Sequence, residues 1–166
     1  MLQIKIANLK PGIHRFELKP DAEALDLDPS KFENIRVDAQ LDYHEERILV
    51  RLAARADATL ECDRTLEEFS QPLQGEHSIL FAPLDVAEAA ATQFEDVRAL
   101  QPGDQEIDIT EAVRDTLLLA IPARCIAPGA EEREIPTEFG KPDGEQGAID
   151  PRWEALRKLK IDDDAA

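Results

Sequence analysis

Residues 34–62 decide the fold, with the sequence NIRVDAQLDYHEERILVRLAARADATLEC. Apolar residues occupy every second position before His44 and again after Arg47, which is typical of a long antiparallel β-hairpin with one buried face. When Tyr43 is placed opposite Ile48, all the apolar pairs fall on the same face, and a slip of one residue would destroy this match. The sequence therefore predicts this register. The alanine-rich run at 53–58 favours a β-bulge in the second strand.

The other face of this hairpin carries four arginines, which form the densest group of cations in the chain: Arg36, Arg47, Arg51 and Arg55. One interpretation is a partner-binding surface, and the place where any direct contact with RNA would occur. The alternative is that Asp38 and Asp42 neutralise the arginines in ordinary cross-strand pairs, which also stabilise the register.

The segments around the hairpin show weaker patterns. Alternation predicts strands at 2–6 and 14–18, followed by a loop at 20–31 with one helical turn. Beyond the hairpin, we expect a strand at 66–73 that ends near Gly75 and a short buried strand at 78–82. Residues 85–99 fit either a helix or a mobile linker, and 95–100 fit a short edge strand.

Helical periodicity is clearest at 109–121, where Asp108 or Thr110 can cap the helix and Pro122 ends it. Leu118, Leu119 and Ile121 widen its apolar stripe, so the helix is predicted to be buried on most sides. Residues 123–147 are rich in Pro, Gly and charge and predict an extended or disordered tail. A short amphipathic helix is expected at 151–160.

Together these patterns predict an α+β protein. We expect an antiparallel β-sheet or partly open barrel, with a buried helix near residues 109–121 and a mobile C-terminal tail. The predicted domains are a β-rich core at 1–122 and a polar tail at 123–166.

The charge of the chain is unusual, because 36 acidic residues and 19 basic ones give its 166 residues a net charge of −17. Such a chain should be repelled by nucleic acid and attracted to basic proteins. A solvated acidic surface, suited to a high-salt organism or a GC-rich genome, is an equally good interpretation. We read no signal peptide, and the apolar run at 117–123 is too short to span a bilayer, so a cytoplasmic protein without a membrane partner is expected.

The sequence shows no motif for a nucleophile, a phosphate loop or a metal site, so no cofactor or metal is expected. His14, His44 and His77 are each isolated, and Cys62 and Cys125 are expected to be reduced thiols. The lone Trp153 lies in the predicted tail helix. It is either an anchor for a partner groove or part of a helix that caps an apolar patch of the core.

Three segments together resemble the YceD family, which is linked to the accumulation of large-subunit ribosomal RNA. Residues 60–66, LECDRTL, resemble the family's C-x-R-C-L signature, although Thr65 replaces the second cysteine. Residues 107–122 resemble the block I-D-L-x-E-x-V-x-E-x-L-L-L-x-L-P, and residues 149–153, IDPRW, resemble the tail of many members. Many members carry several further cysteines in the tail, whereas only Cys125 is present here. A metal site is therefore not carried over.

The resemblance implies a non-enzymatic factor in ribosome biogenesis whose partner is a ribosomal protein or the pre-ribosomal large subunit. Combined with the acidic charge, it favours a basic ribosomal protein over bare RNA. Arg152 and Trp153 join the four hairpin arginines as candidate partner-binding residues. The alternatives are a general acidic protein-binding module unrelated to ribosomes and an enzyme with a site built from dispersed residues.

Overall fold

The computed structural model describes residues 1–44, 47–90, 94 and 96–133. Met1–Glu131 forms one compact unit, which extends nine residues past the predicted core boundary at 122. The second unit, Glu132–Ala166, lies almost wholly outside the described residues. The predicted tail helix at 151–160 falls there as well.

The described residues form strands and helices in the following chain order. The strands are β1 (Gln3–Lys5), β2 (Gly12–Leu18), β3 (Phe32–His44), β4 (Arg47–Glu61), β5 (Glu68–Ala82), β6 (Asp96–Ala99) and β7 (Glu106–Asp108). The helices are α1 (Leu84–Ala90) between β5 and β6, and α2 (Thr110–Leu119) after β7. Short 3₁₀ turns lie at Ala22–Leu25 and Ala130–Glu132.

Strands β3 and β4 form the predicted hairpin in the predicted register. Tyr43 lies opposite Ile48, Leu41 opposite Val50 and Val37 opposite Ala54. The apolar members of these pairs line the core, because side chains two apart on a strand share a face. The register prediction is confirmed.

A β-bulge interrupts this hairpin, but on the first strand rather than the second. The register shifts between Glu33 and Arg36, so that residues 34 and 35 face Ala56 alone. Asn34 lies in the bulge and adopts a φ of 53°. Its Nδ2 donates to Asp57 Oδ2 at 2.8 Å. Asparagine tolerates this left-handed conformation far better than alanine does. The prediction that the bulge lies at 53–58 in the second strand was therefore wrong, because it lies in the first strand.

The strands form two separate sheets that do not close into a barrel. One has five strands in the order β2-β3-β4-β5-β6, and the other pairs β1 with β7. Every pair is antiparallel except β5–β6, which is parallel. The parallel pair is joined through α1, as a parallel connection requires a crossover. The α+β class with an antiparallel sheet is confirmed.

Strand β5 runs unbroken through Gly75, where the sequence predicted an end between two strands. Gly75 pairs with Ala54 and lies against α2. A Cβ at this position would lie 2.7 Å from Thr116 Cγ2 and 3.0 Å from Thr116 O. This glycine therefore allows a close approach of helix and strand, and it does not mark a turn.

Helix α2 packs one face into the main core and leaves the other in solvent. Ala112, Val113, Thr116 and Leu117 are buried against the sheets. Leu119 is 85% exposed and Leu118 is 43% exposed. The prediction that this helix is buried on most sides was wrong, because the described elements cover only one side of it.

A smaller apolar cluster forms under α1, on the opposite side of the sheet, around Leu80, Ala82 and Ala87. Residues 79–82 are thus buried on both faces of the strand, as the short apolar run predicted, whereas Ser78 is exposed. Of the two alternatives for 85–99, a helix is found at Leu84–Ala90. The short edge strand predicted at 95–100 is β6.

Candidate functional site

The four hairpin arginines lie on the exposed face of the five-stranded sheet. Arg47, Arg51 and Arg55 recur every fourth residue along β4, and Arg36 on β3 lies opposite Arg55. At about 3.3 Å per residue, the three arginines of β4 extend over roughly 26 Å. They form a line along the strand and not a compact cluster.

The acidic neighbours neutralise this line only in part. Arg55 Nη1 lies 4.0 Å from Asp38 Oδ2, whereas Asp42 contacts His44 Nε2 at 3.1 Å. Within the part of the chain that the structure describes, Arg36 and Arg51 make no ion pair within 4.0 Å. Like charges directly opposite each other repel, so a carboxylate or phosphate bound near Arg36 and Arg55 would relieve an unfavourable local interaction.

Sequence reasoning missed a fifth arginine on this face. Arg15 on β2 lies opposite Gln40, which in turn lies opposite Arg51, and the row ends at Ser78 on β5. All four side chains can donate hydrogen bonds to an anion. The alternation at 14–18 predicts this strand, but nothing in that local pattern indicates that it pairs with β3.

The neighbouring row of the same face has the opposite sign. Glu17, Asp38, Ala53 and Glu76 lie in register across the same four strands. Rows of cations and carboxylates therefore alternate along the strands. The face is mixed in charge, in contrast to a net charge of −17 for the chain.

The segment that resembles the family signature forms a tight loop at the end of β4. The Leu66 N–H donates to Cys62 O at 2.8 Å, and the Cys62 N–H donates to Glu67 O at 2.9 Å. Leu66 adopts a φ of 58° to close this loop. The loop places the Cys62 side chain in the interior, where it is fully buried.

Hydrogen-bond donors surround the Cys62 sulfur. The Ala127 N–H donates to Sγ at 3.3 Å, and the buried Thr65 hydroxyl, which has no other partner among the described residues, is a second donor to it. These donors stabilise the thiolate, and they lower the pKa of Cys62 from 9.0 to about 7 against the opposing effect of burial.

The chain after α2 returns to this loop. The Asp63 N–H donates to Cys125 O at 2.8 Å, and the Cys125 N–H donates to Asp63 Oδ2 at 2.7 Å. Residues 122–127 therefore lie directly against the signature loop. Sequence reasoning missed this contact because residues 123–147 show no periodicity.

His77, isolated in the sequence, belongs to an ion-pair network that joins β5, β6 and α2. Its Nε2 lies 3.2 Å from Asp96 Oδ2, which also receives Arg98 Nη2 at 3.2 Å. Arg98 continues to Glu111 Oε2 at 3.3 Å. This network holds the short edge strand β6 against the helix.

Arg152 and Trp153, the remaining candidate residues, lie outside the described residues. Across the described ranges, no group of three or more His, Cys, Asp and Glu side chains is placed to hold a metal ion. None of the helices described is both long and apolar enough to cross a membrane.

Comparisons with known proteins place the chain in a family. The model of the family described as "Large ribosomal RNA subunit accumulation protein YceD" matches residues 50–160. The chain is also 25% identical over 146 residues to "Uncharacterized protein YlbN" of Bacillus subtilis (strain 168), covering 84% of this chain and 82% of that protein. No solved structure matches. The matched region begins in β4 and includes the signature loop and α2, and the chain belongs to the YceD family, whose name implies a role in the accumulation of large-subunit ribosomal RNA.

Proposed function

We propose that the protein supports the synthesis, processing or accumulation of large-subunit ribosomal RNA without catalysing a reaction, by binding a basic ribosomal protein or the pre-ribosomal particle. The observation that carries this proposal is the family match over residues 50–160. That match includes most of β4 with Arg51 and Arg55, the signature loop and α2.

The charge of the chain supports a protein partner. A net charge of −17 repels the phosphates of bare RNA at long range and speeds encounter with a cationic protein. Many ribosomal proteins are strongly basic because they neutralise RNA phosphates, so a factor that holds one of them before assembly would need an acidic surface. We therefore expect the interaction to weaken as salt rises.

The mixed face of the sheet and the tail residues are the proposed contact points. Arg36, Arg47, Arg51 and Arg55 would bind acidic groups of the partner, or phosphates exposed on the assembling particle. Arg152 and Trp153 would add an aromatic anchor next to a cation, a combination that is enriched at binding hot spots.

A non-catalytic role is supported by the way the histidines are used. Asp96 contacts His77, a pairing that often serves in acid–base chemistry, but it also binds Arg98, which in turn binds Glu111. The Asp96 carboxylate therefore belongs to a network that connects three elements of the fold, which is a structural use of such a pair.

The cellular test is depletion of the protein, followed by measurement of large-subunit ribosomal RNA relative to small-subunit ribosomal RNA. We expect this ratio to fall and to recover when the wild-type chain is restored. An unchanged ratio would favour a general acidic binding module with no link to ribosomes.

The binding test is a titration of the purified protein with basic large-subunit ribosomal proteins at low and high salt. We expect binding that weakens by about tenfold or more as salt rises from roughly 0.05 M to 0.2 M, since several charge contacts would be screened. No binding at low salt, together with tight binding to naked ribosomal RNA, would refute the proposed partner.

A matched pair of variants tests the sheet face. Arg51→Glu/Arg55→Glu reverses two charges on the face, and Lys10→Glu/Arg124→Glu reverses two exposed charges elsewhere. Because net charge changes equally, a loss of function in the first variant alone would support the face as a contact surface. Equal losses of function in the two double variants would mean that the change in net charge, and not the sheet face, is the cause. Circular dichroism would establish that both variants remain folded.

A further inference from the structure

Cys62 and Cys125 are 63 positions apart in the chain, yet the fold places their backbones side by side. The Asp63 N–H donates to Cys125 O, the Cys125 N–H donates to the Asp63 side chain, and the Ala127 N–H donates to the Cys62 sulfur itself. Three hydrogen bonds thus fasten the segment after α2 to the loop after β4. Both cysteines are free thiols, and the chain contains no others.

The backbone contact limits the distance between the two cysteines. With 2.8 Å between Asp63 N and Cys125 O, standard bond lengths allow at most about 7.6 Å between the Cα atoms of Cys62 and Cys125. Disulfides usually join Cα atoms about 4.4–6.8 Å apart. The upper limit on the Cα separation therefore exceeds the usual disulfide range by less than about 1 Å, and closure also requires the two side chains to turn toward each other.

The two thiols differ in a way that suits sequential oxidation. Cys125 is partly exposed, with its Sγ 3.5 Å from the Pro122 carbonyl oxygen, so a small oxidant in solution can reach it. Cys62 is fully buried beneath that segment, and its sulfur receives the Ala127 N–H. Its pKa of about 7 keeps a large fraction of it as thiolate near neutral pH, ready to attack an oxidised neighbour.

We propose that Cys62 and Cys125 form a redox-sensitive thiol pair, which a peroxide converts into an intramolecular disulfide. The Cys125 thiolate attacks one peroxide oxygen, so an S–O bond forms while the O–O bond breaks and hydroxide leaves. The Cys62 thiolate then attacks the Cys125 sulfur, so the S–S bond forms while the S–O bond breaks and a second hydroxide leaves. Both hydroxides take up the thiol protons. Two thiols and one hydrogen peroxide give one disulfide and two waters.

The disulfide would tie the segment after α2 covalently to the end of β4. In the reduced protein hydrogen bonds join these segments. In the oxidised protein a covalent bond would hold residue 125 against the loop after β4. The cross-link would also restrict the unfolded chain, since it closes a loop of more than 60 residues.

The test uses the full-length, folded protein treated with hydrogen peroxide at neutral pH and then freed of oxidant. We expect the intact mass to fall by two hydrogen atoms, the count of free thiols after denaturation to fall from two to none, and a peptide map to show residues 62 and 125 linked. The thermal midpoint should rise on oxidation and return after reduction. Retention of both thiols, or linkage only between separate chains, would overturn the proposal.

Two variants separate the roles of the cysteines. In Cys62→Ser, Cys125 should still form a sulfenic acid that dimedone traps, but no disulfide should follow. In Cys125→Ser, which alters only a partly exposed residue, the buried Cys62 should react many-fold more slowly with peroxide. Equal reactivity of Cys62 with and without Cys125 would contradict the assigned order. These outcomes do not depend on the ribosomal role, which the depletion experiment tests by itself.

Discussion

At the scale of single residues, Gly75 and Asn34 each allow a feature of the fold that most other residues would disfavour. Gly75 lacks a Cβ at the point where α2 lies against β5, and so Thr116 can approach the strand backbone. Asn34 takes the left-handed conformation that the β-bulge requires. Neither role follows from hydrophobic periodicity, because both depend on what lies across from the residue in space.

We expect Gly75→Ala to destabilise the protein by roughly 1–3 kcal/mol, the usual range for overpacking a well-packed interface. The reason is the 2.7 Å distance that the new Cβ would have to Thr116 Cγ2. Urea denaturation followed by circular dichroism would measure it. Ser78→Ala, at an exposed position of the same strand, should change stability by less than about 0.5 kcal/mol.

A second substitution identifies the cause. Thr116→Ser removes Cγ2 and should recover part of the loss in the Gly75→Ala background, but not all of it, because the contact with Thr116 O at 3.0 Å remains. Independent, additive effects of the two substitutions would show that the steric account is mistaken.

At the scale of elements, Asp108 is the junction between β7 and α2. Its Oδ1 accepts the Thr110 N–H at 2.8 Å and also the Thr110 hydroxyl, while Thr110 Oγ1 accepts the Leu2 N–H from the chain just before β1. One carboxylate therefore fixes the start of the helix, and through Thr110 it aligns the two-stranded sheet with that helix. The sequence predicted Asp108 or Thr110 as the N-cap, whereas Ile109 occupies that position without a side-chain cap, and the Asp108 carboxylate accepts the Thr110 N–H from the residue before it.

We expect Asp108→Ala to cost about 0.5–2 kcal/mol, the range for loss of a helix-capping side chain. Amides in the first turn of α2 should also exchange with solvent faster than those in its last buried turn. Hydrogen exchange and urea denaturation would measure the two effects. Glu106→Ala, an exposed change in the same strand, serves as the control, and equal losses in both variants would argue against a specific cap.

At the scale of the whole molecule, the charge of −17 makes the folded state repel itself. The same charge that would attract a basic partner therefore opposes compactness when that partner is absent. The mixed-charge face of the sheet is a local exception, because its carboxylates and arginines alternate in rows.

We expect the thermal midpoint to rise by several degrees when sodium chloride increases from about 0.01 M to about 1 M, as the Debye length falls from about 30 Å to about 3 Å. Calorimetry would measure it, with potassium chloride giving the same rise if screening is the cause. The gain should be smaller near pH 4.5, the isoelectric point, where little net charge remains. A rise of equal size at both pH values would exclude self-repulsion as its source.

The features that the sequence determined by itself are those with a local period. The two-residue alternation of 34–60 set the hairpin and its register, since any other register would expose Val37, Leu41 and Val50. The helical spacing at 109–121, with Asp108 before it and Pro122 after it, located α2 to within two residues at each end. Such patterns depend on neighbours a few residues away, so the chain alone contains them.

Tertiary structure alone decided the features that depend on segments distant in the chain. It made β5 continuous through Gly75, left Leu118 and Leu119 in solvent, aligned Arg15 with Arg51, and brought Cys125 to the loop of Cys62. Each of these features depends on which surfaces of the fold meet and on how much of each surface is buried in the contact. A local sequence period cannot predict these contacts, because their energy depends on both of the segments that meet and not on either segment alone.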